Sequence, residues 1–296
     1  EEYRKGAPAI KKVTFKFIKE ASSGAIALET GDVDIYADVS MVDVPNLQSK
    51  KNIQVSLIQG DYLYFLCMNQ QKELFQDVRV RQALAYAINL DELIQAVTDG
   101  IGGTKTGSMT TPGCFGYLEF DPIEQDVEKA KQLLAEAGYP DGISFEMVVC
   151  DGSRKKIGET LQGMLKKSNI DLKINMMEMS AMAEYAVASN HDTLPQVARG
   201  YIPDADSELT DKVVSDSWGN FSRMNDPHVD ELMAAARQES DPDKRIEMYH
   251  EVQQIVHDEM HFIPLYYVNN VSAANANLKG FKTSTDLGYK IWELSW

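Results

Sequence analysis

Two spacings of apolar residues take turns along this chain. From Val13 to Ile18 (VTFKFI) they alternate with polar ones, and the run is rich in β-branched and aromatic residues, which predicts a strand. SGAIALETG (23–31) predicts a short helix closed by Gly31, a residue suited to a left-handed C-cap. DVDIYADV (32–39) reads as the next strand, VDVPNLQSK (42–50) as a helical or turn segment, and NIQVSLIQ (52–59) as a strand. YLYFLCMN (62–69) opens a new segment. After it, Val80, Leu84, Ala87 and Ile88 share one helix face. Asn89 then caps a second helix, with Glu92 three residues on to reach back, and Leu93, Ile94 and Val97 continue the apolar face.

Gly100, Gly102, Gly103 and Gly107 break the pattern, so residues 98–125 read as a long loop. DVEKAKQLLAEAGYPDG (126–142) carries a full set of helix signals. Asp126 is the N-cap, Ala130, Leu133, Leu134 and Ala137 form the stripe, Gly138 ends it, and Pro140 prevents a restart. Strands follow at 143–150, 171–178 and 194–201, with Pro195 expected at an edge or a strand start. Helices are expected at 155–169, 181–190, 228–240 and 242–260, and a last strand at 262–274. This order argues for an α/β architecture with mixed sheets. The first 61 residues and the last 25 are strand-rich but too few to close a sheet alone. They pair with each other around an inserted middle domain, or with chain absent from this sequence.

The 296 residues are 44% hydrophobic and 25% charged, ordinary globular composition. With 45 Asp and Glu against 29 Lys and Arg, net −16, the chain repels phosphate backbones and anionic lipid surfaces, so neither nucleic acid nor a membrane surface is expected as a direct partner. EEYRKGAP is charged from its first residue and does not read as a secretory signal; the expectation is an intracellular chain or a trimmed piece of an exported one. Three cysteines with no CxxC spacing indicate no disulfide framework, and Cys67 and Cys150 are expected as buried small hydrophobes.

Candidate chemistry is sparse. GxSxG, Walker and GxGxxG motifs are all missing from the sequence. HDEMH (257–261) spaces His257 and His261 as two zinc ligands on one helix face can be spaced. The glutamate of HExxH is replaced by Asp258, however, and solvated histidines near a helix C-terminus are the preferred reading. ARGYIPDADSEL (198–209) follows a strand and carries Pro203, Asp204 and Asp206. It reads equally as a ligand loop at a strand's carboxyl end or as a surface turn. In SDSWGNFSRMNDP (215–227), Trp218 and Phe221 either line a cleft or cover a core edge.

Several separated motifs, in order, resemble one family. They are IALETGDVDIY (26–36), YFLCMNQQKELFQDVRVRQALAYAINLDELI (64–94), DVEKAKQLLAEAGYPDG (126–142), GETLQGMLKKSNIDLKI (158–174) and the run from Asn220 to Tyr267. Together they are similar to extracytoplasmic solute-binding proteins of ABC importers, in the oligopeptide, dipeptide and nickel class (family 5). The resemblance implies an α/β, periplasmic-binding-protein-like mixed sheet with flanking helices, the second lobe nearly complete and the first partial. It implies non-covalent capture of a peptide or similar small polar solute between two lobes and delivery to the transmembrane subunits of an ABC permease. No covalent chemistry, cofactor or nucleic acid is implied, and the full-length protein is expected as an extracytoplasmic, lipid-anchored monomer. It further implies an amino-terminal truncation: residues 62–271 form the second lobe, and 1–61 with 272–296 form part of the first, with apolar surface exposed on those flanks.

Peptide-binding members carry an Asp shortly before a Pro-Asp in the loop that pairs with a peptide's ammonium group. Aligning Pro203-Asp204 with that Pro-Asp puts Tyr201 at the acidic position, and a phenol is neutral at pH 7. The expected ligand-binding residues are therefore Tyr201, with Asp204 or Asp206 as substitute carboxylates, Arg154 for a ligand carboxylate, and Trp218. Two rival readings are a metal-binding protein or metal-dependent hydrolase using His257 and His261, and the ligand-sensing domain of a transcriptional regulator.

Overall fold

A strand forms only where a neighbouring backbone supplies its hydrogen bonds, and that condition decides which of the apolar runs become strands here. A computed structural model describes residues 7–199, 204–285 and 290–296. The chain divides into two compact units, Glu1–Gly60 with Ile101–Gly103 and Val268–Trp296, and Asp61–Gly100 with Thr104–Tyr267.

In chain order the elements are α1 (Ala21–Thr30), β1 (Ile35–Tyr36), α2 (Val44–Gln48), β2 (Ile53–Met68), α3 (Glu73–Gln76), α4 (Val78–Ala87), α5 (Leu90–Thr98) and β3 (Gly103–Lys105). There follow α6 (Val127–Glu136), β4 (Ile143–Val149), α7 (Gly152–Leu165), β5 (Ile170–Met176), α8 (Met179–Val187) and β6 (Thr193–Arg199). The last are α9 (Ala205–Val213), α10 (Pro227–Ala236), α11 (Pro242–Asp258) and β7 (Phe262–Asn275). Parallel and antiparallel pairs occur together, so the α/β mixed-sheet expectation holds.

In the first unit, α1 ends as its glycine predicts. Gly31 has φ 78°, and its cap amides reach the carbonyls of Ala27 and Leu28. β1 pairs antiparallel with the end of β7, Ile35 against Ala274 and Tyr36 against Ala273. Leu28, Val44, Leu47, Ile53, Val271 and Ala273 close a small core beneath them. The strand expected at 13–18 does not form. The run is without a ladder partner among the described residues, and Phe15 and Phe17 are 74% and 99% exposed.

The second unit holds the larger sheet. β4 runs parallel to β5 from Ile143↔Ile170 to Val149↔Met176, and parallel to β6 at Met147↔Thr193. β6 then pairs antiparallel with β2, from Tyr62↔Arg199 to Met68↔Thr193. Pro195 sits inside this sheet rather than at the edge or start expected for it. It is tolerated because it lies beyond the point where β6 meets β4. Phe65, Leu209, Val213, Met233, Tyr249, Val252 and Phe262 pack one core.

Three further expectations change. The separate strands at 52–59 and 62–69 are one continuous β2, and the loop 98–125 contains β3. Within that loop Thr106, Ser108, Thr110 and Thr111 are buried: Thr106 and Ser108 find partners in the loop itself, and Gln253 and Glu208 from other elements partner Thr110 and Thr111. Cys67 is buried as expected, but Cys150 is only half-buried, one residue past the end of β4.

Candidate functional site

β5, β4 and β6 are parallel, so their carboxyl ends share one edge of the sheet in the second unit. Three connections leave that edge: Cys150–Asp151, Met177–Glu178, and the segment after Arg199, which returns to described chain at Asp204. β2 runs the other way and places Tyr62 and Tyr64 beside Arg199 and Val197. Carboxyl edges of this kind favour ligands because loops and helix N-termini gather there.

The cluster at the end of β4 is built from its helix cap. Asp151 caps α7 by accepting the Arg154 amide at 2.8 Å, which is why the helix starts at Gly152 and not at the expected 155. The same carboxylate pairs with the Arg154 guanidinium, whose Nε donates to the Pro195 carbonyl at 3.1 Å. Arg154 is therefore a buried side chain whose guanidinium is engaged through Nε and one terminal nitrogen. Burial pushes the Asp151 carboxyl up, but the amide and guanidinium of Arg154 outweigh it and hold the group below its ordinary range. Burial likewise raises the Tyr64 phenol, with Arg154 opposing, and Tyr64 stacks on Tyr266 at 5.1 Å between ring centroids. The Cys150 thiol, raised first by burial, lies 3.5 Å from the Met179 sulfur at the start of α8. The edge thus presents phenol, thiol and thioether surface over an internally neutralised ion pair.

Tyr201 lies outside the described residues. Asp204 caps α9 through the Asp206 amide at 3.0 Å and pairs with Arg245 at 3.0 Å; Arg245 also donates to the Tyr249 hydroxyl at 2.9 Å. Asp206 pairs with Arg237 at 2.7 Å. Both carboxylates are already countered by arginines, so neither stands as an uncompensated negative charge. Trp218 is 71% exposed and meets Phe221 edge to face, with centroids 6.2 Å apart.

Sequence reasoning did not find Glu208 and Lys212. Both are buried on α9: Glu208 accepts from the Thr111 hydroxyl and amide at 2.6 and 2.8 Å, and Lys212 donates to the Met109 carbonyl at 2.8 Å. Burial raises the first group and lowers the second. Their i, i+4 spacing was the available signal, but it is also the spacing of an ordinary surface pair.

The HDEMH reading needs correction. α11 stops at Asp258 and Met260 has φ 48°, so His257 and His261 do not share a helix face. His257 stacks on Phe120 at 4.4 Å, while His261, buried and not solvated, bonds Gln70 Oε1 through Nδ1 at 2.8 Å. Among the described residues no three His, Cys, Asp or Glu side chains converge as a metal site.

The family model for bacterial extracellular solute-binding proteins, family 5 (middle), matches residues 1–220. The chain belongs to this family. Family 5 members are binding proteins, and extracellular is part of the family's description. The chain is 28% identical over 302 residues to the oligopeptide-binding protein AppA of Bacillus subtilis, covering 95% of this chain and 55% of that relative. Among solved structures it is similar to the periplasmic binding protein DppA of Helicobacter pylori in complex with the peptide STSA, with TM-score 0.76, 28% identity, and coverage of 93% of this chain and 54% of that one. HbpA2 of Haemophilus parasuis superposes with TM-score 0.90 at 24% identity, over 99% of this chain and 59% of that one, a likeness of fold. This family 5 chain thus spans a little over half the length of the relatives it matches, and its fold is periplasmic-binding-protein-like.

Proposed function

We propose that this family 5 chain is part of the substrate-binding component of an ABC importer. It captures a peptide or a similar small polar solute without covalent chemistry and delivers it to the transmembrane subunits of a permease outside the cytoplasm, where the full-length protein is lipid-anchored. The proposed lobe 62–271, most of which is the second unit, supplies one wall of the cleft, and the segments 1–61 and 272–296 belong to the other lobe. The observation that carries the reading is the carboxyl edge of β5, β4 and β6, where Asp151, Arg154, Tyr64, Cys150 and Met179 gather in a chain whose family binds solutes. Asp204 and Asp206 begin the helix after the next connection, Trp218 offers an exposed aromatic face, and Tyr201, outside the described residues, is kept as a proposed ligand contact.

With Asp204 and Asp206 already paired to Arg245 and Arg237, recognition on this wall relies on hydrogen bonds and polarisable apolar contact more than on a bare carboxylate. A thermal-shift screen of di- to pentapeptides tests this. Binding peptides raise the midpoint of the purified chain, and Arg154→Ala or Trp218→Ala weakens the tightest of them about tenfold, a loss of roughly 1.4 kcal/mol. Equal affinity in Arg154→Ala would remove this edge from the site, and equal affinity in Trp218→Ala would remove the separate surface beside His191 at the amino end of β6.

A further inference from the structure

Two buried histidines converge on one irregular segment. Residues 214–226 connect α9 to α10 without helix or strand, and Trp218 stands exposed upon them. His191 Nε2 lies 2.8 Å from the Phe221 carbonyl. A carbonyl only accepts, so Nε2 carries the proton and Nδ1 keeps a lone pair. That Nδ1 is buried without a hydrogen-bond partner among the described residues. On the other side, Gln70 donates to the Ser222 carbonyl through its backbone amide at 2.9 Å and through Nε2 at 3.3 Å. Gln70 Nε2 also donates to the His261 carbonyl at 3.3 Å, so Oε1 is the acceptor and His261 Nδ1, 2.8 Å away, is the donor. His261 Nε2 is then a second buried lone pair without a partner among the described residues. His191 thus holds the Phe221 carbonyl directly, and His261 orients the Gln70 side chain that holds the Ser222 carbonyl; in each ring the other nitrogen, buried and unpartnered among the described residues, is best left as a lone pair.

Protonating either ring would create a buried cationic N–H with nothing to accept it, a cost far above that of leaving the site closed at neutral pH. The neighbours do not reverse this. Arg81, itself 3.4 Å from Glu259, opposes charge on His261, and Asp226 favours it. Arg223 and Lys72 oppose charge on His191, and Asp192, 3.8 Å from Lys72, favours it. Burial sets the balance: both histidines are depressed, His261 to about 4. His191's bonding and ring partner, Phe221, lies in 214–226, while His261's partner Gln70 lies just past the end of β2, so 214–226 is the irregular piece whose movement would let water reach the rings.

We propose that the segment 214–226 is an acid-released latch: above pH 6.5 the neutral rings of His191 and His261 hold it down, and acidification opens it, moving Trp218 while the sheet stays intact. The sign follows from proton uptake. The open segment exposes histidines of ordinary affinity for protons, so opening gains a proton and is favoured as pH falls. For His261 alone the gap between about 4 closed and 6.5 open allows the closed-to-open ratio to fall by up to about 300-fold. The device stands whether or not Trp218 meets solute.

Amide hydrogen exchange of the full chain between pH 7 and pH 4, corrected for intrinsic rates, reads it. Protection of peptides spanning 215–224 should fall by up to about two orders of magnitude while β4 keeps its own. His191→Gln with His261→Asn, which retain a donor but do not titrate, should abolish that segment-specific loss. An equal loss across segment and sheet in the unmodified chain, or an unchanged pH response in the double variant, overturns the proposal. If the variant does not fold, the comparison of 215–224 with β4 in the unmodified chain decides it alone.

Discussion

Arg81 is 3% exposed, and its guanidinium ties two other stretches of chain to α4. It donates to the carbonyls of Glu259 and Met260 just past α11, and to those of Phe75 and Gln76 at the end of α3, at 2.6–3.2 Å. These are acceptors that helix ends leave without partners. A lysine offers the charge without the planar fork, so Arg81→Lys should cost roughly 3 kcal/mol by leaving buried carbonyls unmet, measured by urea unfolding. A cost under about 0.5 kcal/mol would mean that water replaces the fork. Apolar spacing places Val80, Leu84 and Ala87 correctly on α4, although Ile88 falls just past its end, but it says nothing of Arg81, since charged side chains are ordinarily assigned to the solvent face. Glu208 and Lys212 were hidden for the same reason. The sequence shows charge, and only the packed neighbours Thr111 and Met109 show burial.

Elements with both a periodic face and explicit end signals were legible. α6 is capped by Asp126 through the Lys129 amide at 2.9 Å, and α5 by Asn89 through the Glu92 amide at 2.9 Å. Asn89→Ala should therefore lose about 1 kcal/mol of stability in a denaturant titration, while Asn89→Asp, which keeps the acceptor, should lose little. An equal loss in both would trace the effect to the Asn89 amide's contact with Gln125, not to the cap. Elements that depend on distant partners were not legible. VTFKFI has the composition of a strand and no ladder, whereas ADSELTDKV has little apolar pattern and is a helix, held by Asp204, Glu208 and Lys212. Of the expected site, Arg154 was placed at a strand-to-helix turn by its sequence context, but its closed pairing with Asp151 needed the fold.

At the scale of the molecule, the family was legible because its motifs run through most of the chain, and the α/β mixed sheet followed from the order of elements. Ligand chemistry was not, since it depends on which charges are already neutralised, and Asp204 and Asp206 turn out to be paired. The acidic balance of 45 against 29 charged residues fits a carrier of small solutes better than a nucleic-acid partner. The central claim is that the protein grips a small solute and lets it go chemically unchanged. Native mass spectrometry of the protein purified without refolding and then incubated with a defined peptide pool, with tandem sequencing of whatever dissociates, tests it most directly. The account predicts a non-covalent adduct whose released peptide is intact and identical to a member of the pool. Peptides returned cleaved or modified, or no adduct with any member of the pool, would contradict it.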